Sequence, residues 1–246
     1  MKKLTTIIVL IAGILIVSIC NFNTVREAFE LNTRNAAVDS KVINKENKYI
    51  KSELKIPKLV MNNKEIERIL NKKFESDIMN FYNTSVKEAE SYFDDFPDAE
   101  NKFVISSDYE VKKSNNKVLS MLIKYYKYSG GAHGYYEYVP YNIDLRNGNN
   151  LLLKEIFKAE VDYKTIIDKE IEKQIKELGK KDKDLDKIYD FYGIKENQKF
   201  YLEDGKIVIY FDLYDIAPYA AGIPEFPIIV ENIKNLIKEN YLEVIT

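Results

Sequence analysis

Residues 4–20 carry no charge, follow Lys2 and Lys3, and end at Cys20, the only cysteine of the chain. A short basic start followed by an apolar run is the pattern of an export signal. The run is 17 residues long, at the lower edge for spanning a bilayer. Three fates stay open: a cleaved signal peptide, an uncleaved anchor, or a lipoprotein signal modified at Cys20. Ile19 stands where a lipoprotein signal carries a small residue, and no Ala-x-Ala site follows the run. Both facts favour an anchor, with Lys2 and Lys3 holding the N-terminus inside. Under every fate the remainder lies outside the membrane and lacks cysteine. It can build no disulfide framework, zinc–thiolate site or cysteine nucleophile. Its fold must rest on a hydrophobic core alone.

Without Lys2 and Lys3 the balance is 35 basic against 39 acidic side chains, a net charge of −4. A nucleic-acid surface needs a basic surplus or stripe, so nucleic acid is not an expected partner. The composition, 46% hydrophobic and 31% charged, excludes disorder over most of the length. With His133 as the single histidine, a zinc site would lack ligands. The acidic run "DKDLDK" at 182–187 lacks the glycine and terminal glutamate of a calcium loop and reads as a solvated link. No phosphate-binding loop or dinucleotide fingerprint is present. Neither metal nor cofactor is expected.

Residues 21–47 are polar without a sustained period and read as a tether. An alternation begins near Tyr49 ("YIKSELKIPKLV"), predicting a strand with Pro57 at an edge or bend. Ile66, Ile69, Leu70, Phe74, Ile78, Phe81, Tyr82, Val86 and Ala89 then recur at helical spacing, with Asn62 or Asn63 placed to cap the start. Residues 102–145 read as a tyrosine-rich antiparallel meander, turning at "NN" and at "GGAHG". A second amphipathic helix runs through Tyr163, Ile166, Ile167, Ile171, Ile175 and Leu178. A hairpin follows, turning at Asp204-Gly205, and "IIVENIKNLIKENY" is expected to close the chain as a helix. The predicted class is α+β: two packed units, each of antiparallel strands with an amphipathic helix, after an N-terminal signal or anchor segment. The expected divisions are 1–22 signal or anchor, 23–45 tether, 46–148 N-terminal domain and 149–246 C-terminal domain.

Catalysis finds little support. Ser129 lies four residues from His133, but no G-x-S-x-G elbow accompanies them, and "SGGAHG" suits a turn with a local serine bond to the backbone. A carboxylate-based hydrolase stays open, because 39 acids always offer pairs. The stronger signal is tyrosine: 19 of them and no tryptophan. Tyr125, Tyr126, Tyr128, Tyr135, Tyr136, Tyr138 and Tyr141 surround one loop; Tyr210, Tyr214 and Tyr219 surround another. Strand tyrosines often do no more than pack a half-buried sheet. Two Gly- and Pro-stiffened loops rimmed by them suit recognition.

"SGGAHG" (129–134), "YNIDLRNGNNLLLKEIF" (141–157) and "FDLYDIAPYAAGIPEFPI" (211–228) resemble the paired extracytoplasmic domains of RsiV-type anti-sigma factors, a pair that also precedes the catalytic domain of PdaC-type peptidoglycan deacetylases. The resemblance covers roughly residues 46–246. It implies a PdaC-like N-terminal and an RsiV-like C-terminal domain, and a module that binds a lysozyme-like protein or cell-wall glycan. The matching ligand-contacting loops are Ser129 to Gly134 and Ala217 to Gly222. Ser129, His133, Tyr135, Pro218 and Tyr219 are the expected ligand-binding residues, with His133 serving first to brace its loop. Two departures are expected. Only Met1 to Lys3 precede the apolar run, too little for a sigma-binding segment, and no deacetylase domain follows. The expectation is a non-catalytic binding or sensing protein; a carboxylate hydrolase and a structural accessory domain are the alternatives.

Overall fold

The computed structural model of the protein describes residues 36–182 and 185–246. The export segment, Cys20 and much of the tether lie outside the described residues. Among those described, no helix is long and apolar enough to cross a membrane.

The first unit is a six-stranded sheet in the order β1 to β6, carrying one long helix. Strands β1 (Ala37–Glu46) and β2 (Ile50–Val60) form an antiparallel pair. Helix α1 (Lys64–Asp95) then crosses over, so that β3 (Phe103–Ser114) lies parallel to β2. Strands β4 (Val118–Tyr128), β5 (Tyr135–Asp144) and the two-residue β6 (Asn149–Asn150) continue as an antiparallel meander. The tether expected over 23–45 therefore gives way to a strand at Ala37. Its side chains are mostly exposed, so β1 is held by its backbone ladder to β2 and leaves no apolar period in the sequence.

Local chemistry fixes the frame. The Asn63 side chain accepts the amides of Glu65 and Ile66 and caps α1. The helix buries Ile66, Leu70, Phe74 and Ile78, spaced one turn apart, against the sheet. Asn71 on α1 accepts the Leu59 amide at 2.7 Å and donates to the Leu59 carbonyl at 2.9 Å, standing in for a neighbouring strand. The side of β2 facing away from β1 is thus unpaired beyond Leu54, where pairing with β3 stops. Pro57 sits there, where its missing amide costs no ladder bond.

The second unit is a three-stranded antiparallel sheet of β7 (Phe200–Glu203), β8 (Lys206–Tyr210) and β9 (Glu225–Ile229). The one-turn helix α2 (Leu153–Ile156) precedes α3 (Tyr163–Lys181), which buries Ile167, Ile171 and Ile175 at four-residue spacing against the core of this sheet. The single closing helix expected from "IIVENIKNLIKENY" is not formed. Residues 225–229 belong to β9; α4 (Val230–Ile233) and a 3-10 turn (Lys234–Leu236) follow, and α5 (Glu239–Ile245) ends the chain. The cause is tertiary. Ile237 pairs with Phe157 as an isolated bridge, Lys158 donates its amide to the Leu236 carbonyl, and Lys238 donates to that of Ile156. These bonds draw residues 236–238 out of the helix.

Strand β4 joins the units. Leu119, Met121 and Ile123 point into the core under α1, whereas Leu122 packs with Tyr201, Val208 and Tyr210 of the small sheet. Burial on both faces explains why "VLSMLI" does not alternate. The seam is also polar. Fully buried Ser120 accepts the Leu202 amide at 2.8 Å and donates to Asn142 Oδ1 at 2.7 Å, while Asn142 Nδ2 donates to the Phe200 carbonyl at 2.8 Å. The edge of β7, which no strand covers, finds its partners in two side chains of the large sheet.

Candidate functional site

Two loops, one from each unit, meet beside this seam. The first joins β4 to β5 over Ser129–Gly134. Gly130 and Gly131 adopt φ of +91° and +97°, in the left-handed region that suits glycine. A Cβ on Gly134 would lie 2.4 Å from the Tyr126 ring, so a larger residue there would displace that tyrosine. Tyr128 Oη donates to the Gly131 carbonyl at 3.0 Å and closes the turn. The second loop leaves β8 through Tyr214, the one non-glycine residue with positive φ (+66°) among the described residues. It passes Pro218 into a 3-10 turn at Tyr219–Ala221 and returns to β9.

The loops lock through one carbonyl. Gly134 O accepts from Tyr219 Oη at 3.1 Å and lies 3.0 Å from His133 Nδ1. An imidazole nitrogen facing a carbonyl can only donate, so Nδ1 carries a proton. The His133 and Tyr219 rings stack at 4.1 Å and 22°. Tyr214 flanks Tyr219 at 5.7 Å, and Tyr136 meets it edge-on at 6.5 Å. Lys124 lies 4.6 Å over Tyr136, a cation–π contact that holds the ring's orientation.

Of the five residues predicted from the sequence, the fold brings His133 and Tyr219 into direct contact and sets exposed Pro218 at the entry to the same turn. Tyr135 follows Gly134 and remains 44% exposed. Burial, then the carboxylates of Asp212, Glu137 and Asp215, push its phenol above the usual range. Ser129 is exposed at the loop's entry. Its hydroxyl makes none of the expected local bonds to the backbone among the described residues; Tyr128 closes the turn instead. Tyr214 and Tyr136, seen in the sequence only as part of a crowd, complete the cluster. No residue pattern around Tyr214 signals its positive φ.

The rim is acidic but satisfied. Lys199 pairs with Asp212 at 2.7 Å and reaches Glu137 at 3.9 Å, and Lys195 pairs with Asp215 at 2.6 Å. Among the described residues no group of three or more His, Cys, Asp or Glu could hold a metal. What the cluster offers is a braced aromatic ridge with carbonyl, imidazole and phenol edges. Such surfaces anchor partners by shape.

Known proteins share this build. Residues 43–136 match the family model for Deacetylase PdaC, and residues 154–231 match a protein of unknown function, DUF3298. The first loop lies in one match and the second in the other, so the aromatic cluster is assembled across two domains. The chain is 31% identical over 197 residues to the anti-sigma-V factor RsiV of Bacillus subtilis (strain 168), an alignment covering 74% of this chain and 64% of that protein. It is 28% identical over 144 residues to the peptidoglycan-N-acetylmuramic acid deacetylase PdaC of the same organism, covering 56% of this chain and 30% of that protein. The chain thus spans less than two thirds of either relative. Two solved DUF3298 structures share the fold. One from Bacteroides fragilis has TM-score 0.68 and 22% identity, covering 85% of this chain and 96% of that one. One from Pseudomonas aeruginosa has TM-score 0.60 and 20% identity, covering 85% and 97%.

Proposed function

We propose that this chain, an RsiV/PdaC-type domain pair, is a non-catalytic extracytoplasmic binding protein whose two-loop ridge grips a lysozyme-like protein. One observation carries the reading: loops from both domains converge on the stacked His133–Tyr219 pair, braced through Gly134 O. A contact surface built at a domain junction is held in place by both cores, so little ordering entropy is lost on binding. Exposed rigid aromatics suit the centre of a protein interface better than a reaction site. The partner's class follows from the RsiV-type resemblance. The acids around the ridge are engaged by lysines: Asp212 and Glu137 share Lys199, and Asp215 pairs with Lys195. Residues 4–20 export or anchor the domain pair in this reading.

The chain contains no tryptophan, so indole fluorescence in a mixture reports the partner alone. Titrating the protein into hen lysozyme is expected to shift that fluorescence saturably, with Kd at or below about 10 μM. A flat titration to about 50 μM would remove the lysozyme-like partner. Turnover of a wall polymer, abolished by replacing one acid, would remove the non-catalytic assignment.

A further inference from the structure

A concavity lies beside Tyr135, which lines it. It is a cleft of about 740 Å³ between helix α1 and strands β4 and β5, within the 300–1,000 Å³ typical of ligand sites. Its two walls differ in chemistry. The sheet wall is mainly apolar and aromatic: Tyr135, Val139, Pro140 and Tyr141 line it beside the paired charges Lys127 and Glu137, and Tyr125 meets Phe81 in a tilted contact at 4.7 Å. The helix wall is polar. Asp77, Asn80, Thr84, Ser85 and Glu88 fall at steps of one to four on one stripe of α1, where a helix packed fully on a sheet would carry apolar side chains.

Three features narrow the ligand. First, Ser85 is only 2% exposed, yet its hydroxyl makes no hydrogen bond to any described residue; the side chains of Asn80 and Thr84 make none either. The Ser85 hydroxyl lines the cleft and is not sealed in the core, where among the described residues only Tyr163 Oη is buried without a partner. Second, the charges cancel locally. Asp77 accepts from Tyr141 Oη at 2.7 Å and from Lys73 at 2.9 Å, Glu88 pairs with Lys127, and Glu137 has Lys199 at 3.9 Å. An ionic ligand would have to break such pairs. Third, a wholly apolar ligand would bury Ser85, Asn80 and Thr84 without partners. A ligand with one C–H face and an edge of neutral hydroxyl or amide groups satisfies both walls.

We infer that the α1–β5 cleft is a binding site for a neutral saccharide, its sugar face on the Tyr135–Pro140 wall and its hydroxyls or acetamide on Asn80, Thr84 and Ser85. This goes beyond the protein-binding ridge and does not depend on it.

The probe is chitotetraose, the tetramer of N-acetylglucosamine, titrated into the full-length protein in detergent micelles without any protein partner. Amide shifts in the NMR spectrum should move for residues on the α1 stripe and β5, saturating with Kd at or below about 5 mM. Asn80→Ala, at an exposed position that leaves the core intact, should weaken binding about fivefold, and Ser85→Ala about threefold. Absence of shifts at about 20 mM sugar overturns the proposal. So do shifts confined to the Ser129–Gly134 loop, or binding unchanged in both variants. Shifts in the cleft caused by a neutral peptide but not by the sugar overturn it as well, and assign the cleft to peptides.

Discussion

The two domains meet twice, and the meetings differ in kind. At the seam, Leu122, Tyr201, Val208 and Tyr210 exclude water, and Ser120 and Asn142 satisfy the bare edge of β7 inside that dry layer. At the ridge, His133 and Tyr219 also stack and share a carbonyl, but Pro218, Tyr214 and Tyr135 stay open to solvent. The seam spends its contacts on holding the sheets together. The ridge, relieved of that task, can leave aromatic surface free for a partner. The lesson is a division of labour: one junction holds the domains together, and the other leaves aromatic side chains open to solvent.

The largest expected effect tests the dry side. Leu122→Ala should cost about 3 kcal/mol in urea unfolding, by lost burial and a residual cavity; a cost below about 1 kcal/mol would mean that the seam is no true core. Next comes its polar part. Asn142→Ala leaves the Phe200 carbonyl and Ser120 hydroxyl short of partners and should cost about 2 kcal/mol. Ser120→Ala in the same background should add less than its own single cost, because the two side chains act as one network.

A smaller effect concerns the link between the domains. Asp144 closes the turn after β5, accepting the Arg146 amide at 2.9 Å and its guanidinium at 2.8 and 2.6 Å. Burial alone would raise the Asp144 carboxyl, but the Arg146 hydrogen bonds and charge outweigh it and hold it below the usual range. A depressed folded value contributes stability that is present above the unfolded pKa, near 4, and is lost as the pH falls through the folded one. Asp144→Asn should therefore cost about 1 kcal/mol at neutral pH, and the gap from wild type should close on acidification below about pH 4. A gap that stays constant down to pH 2 would show that the ion pair contributes nothing there. The smallest effect is ionic strength at the ridge. With Asp212 and Asp215 each paired to a lysine, raising salt from about 50 to 300 mM should weaken lysozyme binding less than about threefold; a tenfold loss would replace shape by charge as the basis of recognition.

The same contrast explains what could be read from residues alone. Helix α1 with its Asn63 cap, the tyrosine meander, the Asp204-Gly205 hairpin and helix α3 all announce themselves through period or turn chemistry, which are local properties. Strand β1 does not, because an exposed edge strand is fixed by a neighbour's backbone and its side chains carry no pattern. Residues 228–241 misled because their apolar spacing is helical, while the bridge from Ile237 to Phe157 is a contact 80 residues away in the chain. At the site, glycines and prolines marked two presented loops, but nothing local said that His133 would lie on Tyr219. The cleft stayed hidden because Asp77, Asn80, Thr84 and Glu88 look like the solvated face of α1 until the sheet is seen opposite them.

The most direct test sets the two meetings against each other in one experiment: lysozyme affinity and thermal stability, measured together on wild type, Tyr219→Ala and Asn142→Ala. Tyr219→Ala is expected to weaken lysozyme binding by about 2 kcal/mol, roughly thirtyfold, while its melting temperature stays within about 3 °C of wild type. Asn142→Ala is expected to melt several degrees lower and to bind within about threefold of wild type while folded. Wild type that ignores lysozyme, or a Tyr219 variant that binds as tightly as wild type, would contradict the account.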